Sequence, residues 1–176
     1  IKNYLNEDAE QIKLPQNDIK LANIECLTMV ACGTAFYAAL TAKYWFEKIA
    51  RIRVEVDVAS EFRYREPPVT KETTAIFVSQ SGETADTLAA LRYMSSQDAN
   101  IISVVNVAES SIARESDLVL PLYVGPEIGV ASTKAFTAQL TVLALLALKI
   151  AKSKNVITET KYFIYLEELK RIPELI

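Results

Sequence analysis

Residues 74–82 read Thr74-Ala75-Ile76-Phe77-Val78-Ser79-Gln80-Ser81-Gly82, and a helical pattern follows from about residue 83 to residue 96. A mostly apolar run without alternation is typical of a strand in a parallel sheet that is covered on both faces. The serine and glycine residues then mark a loop before the helix begins. This segment therefore predicts a central strand, a polar loop and a helix of an α/β fold.

Short apolar runs and longer helical patterns continue to alternate on both sides of this segment. Four further strands are predicted at residues 26–31, 54–58, 101–105 and 118–122. Helices are predicted at residues 35–49, 111–115, from Ser132 or Thr133 to about 152, and from 158 to about 169. Pro121 favours an edge position for the last strand. We expect a three-layer αβα sandwich with a five-stranded parallel, flavodoxin-like sheet.

Length and composition predict one compact domain. The chain has 176 residues, of which 51% are hydrophobic, and this suffices for one good-sized core. We assign residues 1–24 to a peripheral N-terminal segment, 25–155 to the α/β domain and 156–176 to a C-terminal helix. The chain begins at Ile1 without an initiator methionine, which suggests a segment cut from a longer protein.

Charge and cysteine content exclude several classes of function. A formal net charge of -3 without a long basic run argues against nucleic-acid binding. The chain has no histidine and only Cys26 and Cys32, so it cannot supply a Cys/His metal cluster, and the spacing predicts free thiols, as in a cytoplasmic protein. The uncharged stretch 135–148 is too short to span a bilayer and predicts a buried helix.

Three loops are expected at the carboxyl edge of the sheet, where ligands bind in such folds. They are residues 32–35, 79–84 and 130–133. Ser79, Ser81 and Thr84 offer hydroxyl groups, and Gly82 allows backbone N–H groups to approach a phosphate closely. The loop 79–84 holds three hydroxyls where helix capping needs one, which favours a phosphate ligand that needs no lysine.

The polar residues also admit other interpretations. The segment 33–38 has one glycine where a dinucleotide-binding loop needs three, and a Walker A loop is absent. Serine and threonine at helix starts also serve as simple caps. The acid/base candidates are Glu61, Glu83, Glu127 and Lys134, but ordinary surface or dipole roles explain each of them, and Arg63 with Arg65 is expected to form a solvated face.

Five ordered motifs resemble those of sugar isomerase (SIS) domains, and within this family those of the glucosamine-6-phosphate synthase type. The signature is Ser79-Gln80-Ser81-Gly82-Glu83-Thr84-Ala85-Asp86-Thr87-Leu88. Supporting segments are residues 31–34, 59–65, 114–117 and 127–137. The family often has serine where this chain has Ala35, so one hydroxyl contact to the phosphate is expected to be missing.

The resemblance implies a sugar-phosphate site and a larger parent enzyme. In glutamine-fructose-6-phosphate transaminase (isomerizing), an enzyme of amino-sugar biosynthesis, a glutaminase domain precedes two SIS domains, and this chain resembles the first SIS domain. The implied partners are the sugar-phosphate substrate, the glutaminase domain, the second SIS domain and a second copy in a homodimer, with no cofactor, metal, nucleic acid or membrane. The implied substrate-binding residues are Gly33, Thr34, Ser79, Gln80, Ser81, Gly82, Thr84, Val130 and Ser132.

The family's catalytic base, Schiff-base lysine and ring-opening histidine belong to the second domain or a neighbouring subunit, so we expect binding without turnover by this chain alone. Two alternatives stay open from the sequence. A stand-alone SIS isomerase or deglycase would need its own acid/base pair. A non-catalytic SIS sensor would be expected beside a DNA-binding region.

Overall fold

Five parallel strands form one sheet in the computed structural model, which describes residues 1–70, 72–128 and 132–175. The sheet has the order β2-β1-β3-β4-β5, and each neighbouring pair is parallel. The strands are β1 (Cys26–Ala31), β2 (Arg53–Val58), β3 (Thr74–Ser79), β4 (Asn100–Val105) and β5 (Leu118–Pro121). This is the flavodoxin-like order, so the predicted fold class is confirmed.

The position of each strand follows from its sequence. All six residues of β3 are buried, as expected of a central strand with both faces covered. β2 alternates between polar and apolar residues and lies at one edge. β5 lies at the other edge and ends in Pro121, which lacks the N–H group that a central strand would need.

The described residues form six α-helices, of which the first four lie between strands and the last two follow β5. They are α1 (Gly33–Trp45), α2 (Ala59–Arg65), α3 (Ala85–Ser96), α4 (Ser111–Arg114), α5 (Lys134–Ser153) and α6 (Glu159–Leu175). A π-helical turn, Phe46–Ala50, continues α1, and short 3-10 helices lie at Lys2–Tyr4 and Leu21–Asn23. α2 was not predicted as a helix, and α6 runs past the predicted end at residue 169.

Two apolar clusters lie on opposite faces of the sheet and make the three layers. Consecutive strand residues alternate between them, because Met29 and Ile76 belong to the cluster under α1 and α5, whereas Val30 and Phe77 belong to the cluster under α2, α3 and α4. This alternation explains why the central strand is buried at every position.

The N-terminal segment and α6 are tied to the core on the α5 side. Tyr4 and Ile12 are buried, and the Tyr4 hydroxyl donates to the Pro121 carbonyl at 2.8 Å. The Ile12 N–H donates to the Tyr162 hydroxyl of α6 at 3.1 Å. The boundaries at residues 24 and 155 stay predictions, but side chains on both sides of these boundaries share one core.

α5 is a core helix. By length and composition alone it could cross a membrane, yet 56% of its most apolar window is buried in the fold, and Leu143 and Leu146 lie in the larger apolar cluster. The predicted burial of this segment is therefore confirmed. Cys26 and Cys32 are half-buried free thiols, as their spacing predicted.

Candidate functional site

A cavity of about 260 Å³ lies at the carboxyl ends of β1 and β3. The loop before α1, the loop before α3 and the start of α5 form its walls. The described lining residues are Cys32, Gly33, Thr34, Ala35, Val78, Ser79, Gln80, Ser81, Thr84, Ser132 and Gln139. Seven of the predicted substrate-binding residues are thus brought together from three separate parts of the chain.

The two remaining predicted residues are placed differently. Val130 lies outside the described residues. Gly82 is a buried residue of the loop and does not line the cavity; its N–H group donates to Ser79 Oγ at 3.0 Å and its carbonyl accepts from the Ile112 N–H at 3.1 Å. Gly82 therefore shapes the loop through its own N–H and carbonyl groups, and its predicted part in phosphate binding stays a prediction.

Glycine is required at Gly82 for two reasons. Its φ of 68° is in the left-handed region, and an added Cβ would lie 1.9 Å from Ser110 Oγ. Gly33, at the start of α1, also has a positive φ of 56°, but nothing lies within 4 Å of the position of its Cβ. Conformation alone therefore demands glycine at residue 33.

The serine hydroxyls of the 79–84 loop each accept a hydrogen bond from a backbone N–H group. Ser79 Oγ accepts from Gly82 and lies 3.2 Å from Thr84 Oγ1, and Ser81 Oγ accepts from the Glu83 N–H at 3.2 Å. The hydrogen bond between Ser79 and Thr84 uses one of their two protons. At least one proton of that pair, and the proton of the exposed Ser81, remain for an anion.

Two helix N-termini add backbone donors at this edge. α1 follows Cys32 and α3 follows Thr84, and neither capping residue makes a side-chain hydrogen bond to its helix. The N–H groups of a first helical turn carry partial positive charge and attract anions. Hydroxyl groups and helix dipoles therefore act together at one cavity.

The third helix start differs from the expectation. Thr133 occupies the predicted N-cap position of α5, but neither its hydroxyl nor that of Ser132 caps the helix; Glu127 Oε2 accepts from the Ala135 N–H at 3.1 Å instead. A carboxylate is favoured at a helix N-terminus by the dipole, which explains why it replaces a hydroxyl there. Ser132 Oγ is left buried and without a hydrogen-bond partner among the described residues.

Gln139 was not predicted as a site residue. Its side chain is on α5, is 1% exposed, and lines the cavity with both its amide nitrogen and its amide oxygen unpartnered within the described part of the chain. An unsatisfied buried polar group costs about 1 to 3 kcal/mol. A single amide within the apolar run 135–148 was the signal in the sequence that could have identified it.

None of the described lining residues is a carboxylate, lysine or arginine. Glu83 Oε1 accepts from the Ser111 N–H at 2.7 Å, and this hydrogen bond lowers the pKa of the carboxyl group. Lys134 Nζ donates to the Pro126 carbonyl at 2.7 Å. Together with the capping role of Glu127, these contacts account structurally for three of the four acid/base candidates.

The fourth acid/base candidate and the two arginines also lie away from the cavity. Glu61 is exposed on α2 and does not line the cavity. Arg63 pairs with Asp86 at 2.7 Å, and Arg65 pairs with Asp57, so neither guanidinium group forms an anion clamp at the described cavity.

The chain is similar to aminotransferases of known name. The glutamine-fructose-6-phosphate aminotransferase (isomerizing) of Brucella abortus is 52% identical over 176 residues, which are all of this chain and 29% of that protein. The corresponding enzyme of Zymomonas mobilis is 54% identical over 159 residues, covering 90% of this chain and 26% of the relative. The chain therefore spans less than a third of the length of these curated relatives.

A solved structure has the same fold. The C-terminal domain of glucosamine-fructose-6-phosphate aminotransferase from Francisella tularensis superposes with a TM-score of 0.84 at 47% identity, covering 87% of this chain and 43% of that one. The profile of the SIS domain family matches residues 20–149, which contain the whole sheet and every described residue that lines the cavity. The chain belongs to the SIS domain family.

Proposed function

We propose that this chain is a sugar-phosphate-binding domain in the isomerase part of a glucosamine-6-phosphate synthase. That enzyme converts fructose 6-phosphate and glutamine to glucosamine 6-phosphate and glutamate. The observation that carries the proposal is the uncharged cavity where the serine and threonine hydroxyls meet two helix N-termini. The names of the aminotransferase relatives give the substrate class.

The phosphate is held by neutral groups. Thr34, Ser79, Ser81 and Thr84 supply hydroxyls, and the first turns of α1 and α3 supply backbone N–H groups. Each charge-assisted hydrogen bond contributes about 1.5 to 3 kcal/mol, so a few of them support micromolar to millimolar binding. Ala35 lines the same cavity but has no hydroxyl group, so the neighbouring residues supply the donors to the phosphate.

The chain binds its substrate without turning it over. Aldose-ketose conversion needs a general base and a ring-opening acid within hydrogen-bond reach of the sugar. The described walls of the cavity carry no carboxylate or lysine, and the whole chain lacks histidine. These groups then come from a second SIS domain or from a neighbouring subunit, as in the family's full enzyme.

The larger assembly is part of the proposal. The chain is the first of two SIS domains, α6 leads toward the second, and a glutaminase domain precedes both in a cytoplasmic homodimer. Relatives more than three times as long as this chain support further domains. The free thiols of Cys26 and Cys32 agree with a reducing compartment.

The proposal is tested by titrating the 176-residue chain with fructose 6-phosphate and following its backbone amide NMR signals. We expect shifts in residues 33–35 and 79–84 that saturate at millimolar ligand or below. Signals from these segments that stay unchanged at several millimolar ligand would reject a sugar-phosphate site. A spectrum of the chain with glucose at equal concentration is the control for binding that needs no phosphate.

The alternatives are not favoured. A stand-alone isomerase or deglycase needs acid/base groups that the described cavity walls lack. The curated relatives are aminotransferases, which agrees poorly with a sensor domain. Turnover of fructose 6-phosphate by the purified chain would favour the stand-alone enzyme instead.

A further inference from the structure

Gln139 is a buried amide that the fold itself does not satisfy. It lies in α5 with Val142 and Leu143, which are buried apolar residues and offer no side-chain hydrogen bond. Both polar atoms of its side chain lack a partner in the described ranges, and the residue lines the cavity. A buried polar group is normally hydrogen-bonded, so these atoms point to a ligand.

We propose that Gln139 hydrogen-bonds a hydroxyl group of the bound sugar and so distinguishes a sugar phosphate from phosphate alone. This inference rests on the proposed function and adds a contact to it. A carboxamide has both donors and an acceptor, and a hydroxyl group also donates and accepts. A phosphate dianion only accepts, so it would leave the amide oxygen of Gln139 unsatisfied and facing negative charge.

Different parts of the cavity bind the phosphate and the sugar hydroxyl groups. The groups that donate to the phosphate lie on the loops before α1 and α3. Ser132, just before α5, and Gln139, within α5, line another side of the cavity. Ser132 Oγ is likewise buried and unpartnered as far as the structure describes the chain. Ser132 and Gln139 therefore present polar atoms that phosphate binding does not require. The hydroxyl groups of a sugar supply hydrogen-bond partners for these atoms.

The test compares fructose 6-phosphate with inorganic phosphate as probes of the 176-residue chain. In Gln139→Met the side chain keeps its size and loses both polar atoms. We expect about tenfold weaker binding of fructose 6-phosphate, equivalent to about 1.4 kcal/mol, and inorganic phosphate affinity unchanged within about twofold. The matched control is Gln97→Met, at an exposed residue that does not line the cavity, and it should leave both affinities unchanged.

Thermal unfolding separates a lost contact from a damaged fold. Removing an unsatisfied amide should leave the melting temperature of Gln139→Met unchanged or raise it. Gln139→Leu provides a second variant with the same expected loss of sugar selectivity, should the methionine side chain pack poorly.

The possible outcomes distinguish the inference from the proposed function. If the wild type binds fructose 6-phosphate and both variants bind it with the same affinity, the role of Gln139 is overturned and the proposed function stands. An equal loss of affinity for both probes would also overturn it, because the amide would then support the phosphate. A wild-type chain that binds neither probe would reject the proposed function together with the inference.

Discussion

At the scale of single residues, the serine hydroxyls of the 79–84 loop combine two roles. Ser79 is 3% exposed and is hydrogen-bonded to the Gly82 N–H and the Thr84 hydroxyl. Ser81 is exposed and accepts a hydrogen bond only from the Glu83 N–H. Ser81 keeps its proton for an anion, and the Ser79–Thr84 pair keeps at least one. Their difference in burial allows ligand binding and loop stability to be separated by experiment.

Ser81→Ala should weaken fructose 6-phosphate binding with little effect on stability. The loss of one charge-assisted hydrogen bond predicts about a tenfold to hundredfold higher Kd, and water replaces the exposed contact to Glu83. Ser79→Ala should lose about 1 to 3 kcal/mol of stability as well, because the buried Gly82 N–H loses its acceptor. Calorimetric titration and urea unfolding of both variants check this, and equal destabilisation by both would show that Ser81 is a structural cap.

Gly33 and Gly82 should respond differently to replacement by alanine. Gly33→Ala should cost about 1 to 2 kcal/mol, since only the left-handed conformation opposes a Cβ there. Gly82→Ala should cost about 1 to 3 kcal/mol more, because its Cβ collides with Ser110. Urea unfolding at neutral pH measures both, and a Gly82→Ala variant no less stable than Gly33→Ala would contradict the close approach of Ser110.

At the scale of secondary structure, the predicted elements were those whose signal is local. Continuous apolar runs identified β1, β3 and β4, and Pro121 identified an edge strand. α2 was missed because it is a seven-residue helix with several charged side chains, and it ends just before Pro67 and Pro68. Its helical state depends on packing Phe62 against the second apolar cluster, which no local pattern records.

The candidate site was predicted less completely than the fold. The density of hydroxyls identified the 79–84 loop from the sequence alone, and the family resemblance added Thr34 and Ser132. Gln139 was missed because a lone amide in an apolar helix does not show which part of the fold its side chain faces. Only the fold brings it to the cavity. The close approach of Gly82 to Ser110 could not be predicted either, because it joins two loops that are separate in the sequence.

One contact between elements should be visible in the pH dependence of stability. Glu83, beside the loop before α3, accepts from the Ser111 N–H at the start of α4, which lowers the pKa of its carboxyl group. Its contribution is complete above the unfolded-state pKa of about 4.3 and is lost as the pH falls through the lower folded-state pKa.

Glu83→Gln should therefore have a lower melting temperature than the wild type at pH 7, and the difference should shrink below about pH 4. Melting curves between pH 3 and pH 7 measure the difference, with Glu61→Gln on exposed α2 as the matched control. A difference between wild type and Glu83→Gln that stays constant over this range would show that the charge of Glu83 does not stabilise α4.

At the scale of the whole molecule, the N-terminal segment and α6 belong to the same core as the sheet. The family profile covers residues 20–149, yet Tyr4, Ile12 and Tyr162 are buried outside these limits. Tyr4 reaches β5 through Pro121, and Tyr162 joins α6 to residue 12. The edge and one face of the sheet are therefore completed by segments beyond the residues that the profile matches.

This closure of the core predicts that one hydroxyl on α6 matters to the stability of the whole chain. Tyr162→Phe removes the only acceptor described for the buried Ile12 N–H and should cost about 1 to 3 kcal/mol in urea unfolding. Tyr165→Phe, on the exposed side of the same helix, should change stability by less than about 0.5 kcal/mol. If the two variants unfold at the same urea concentration, the hydrogen bond between Ile12 and Tyr162 does not contribute to the stability of the chain.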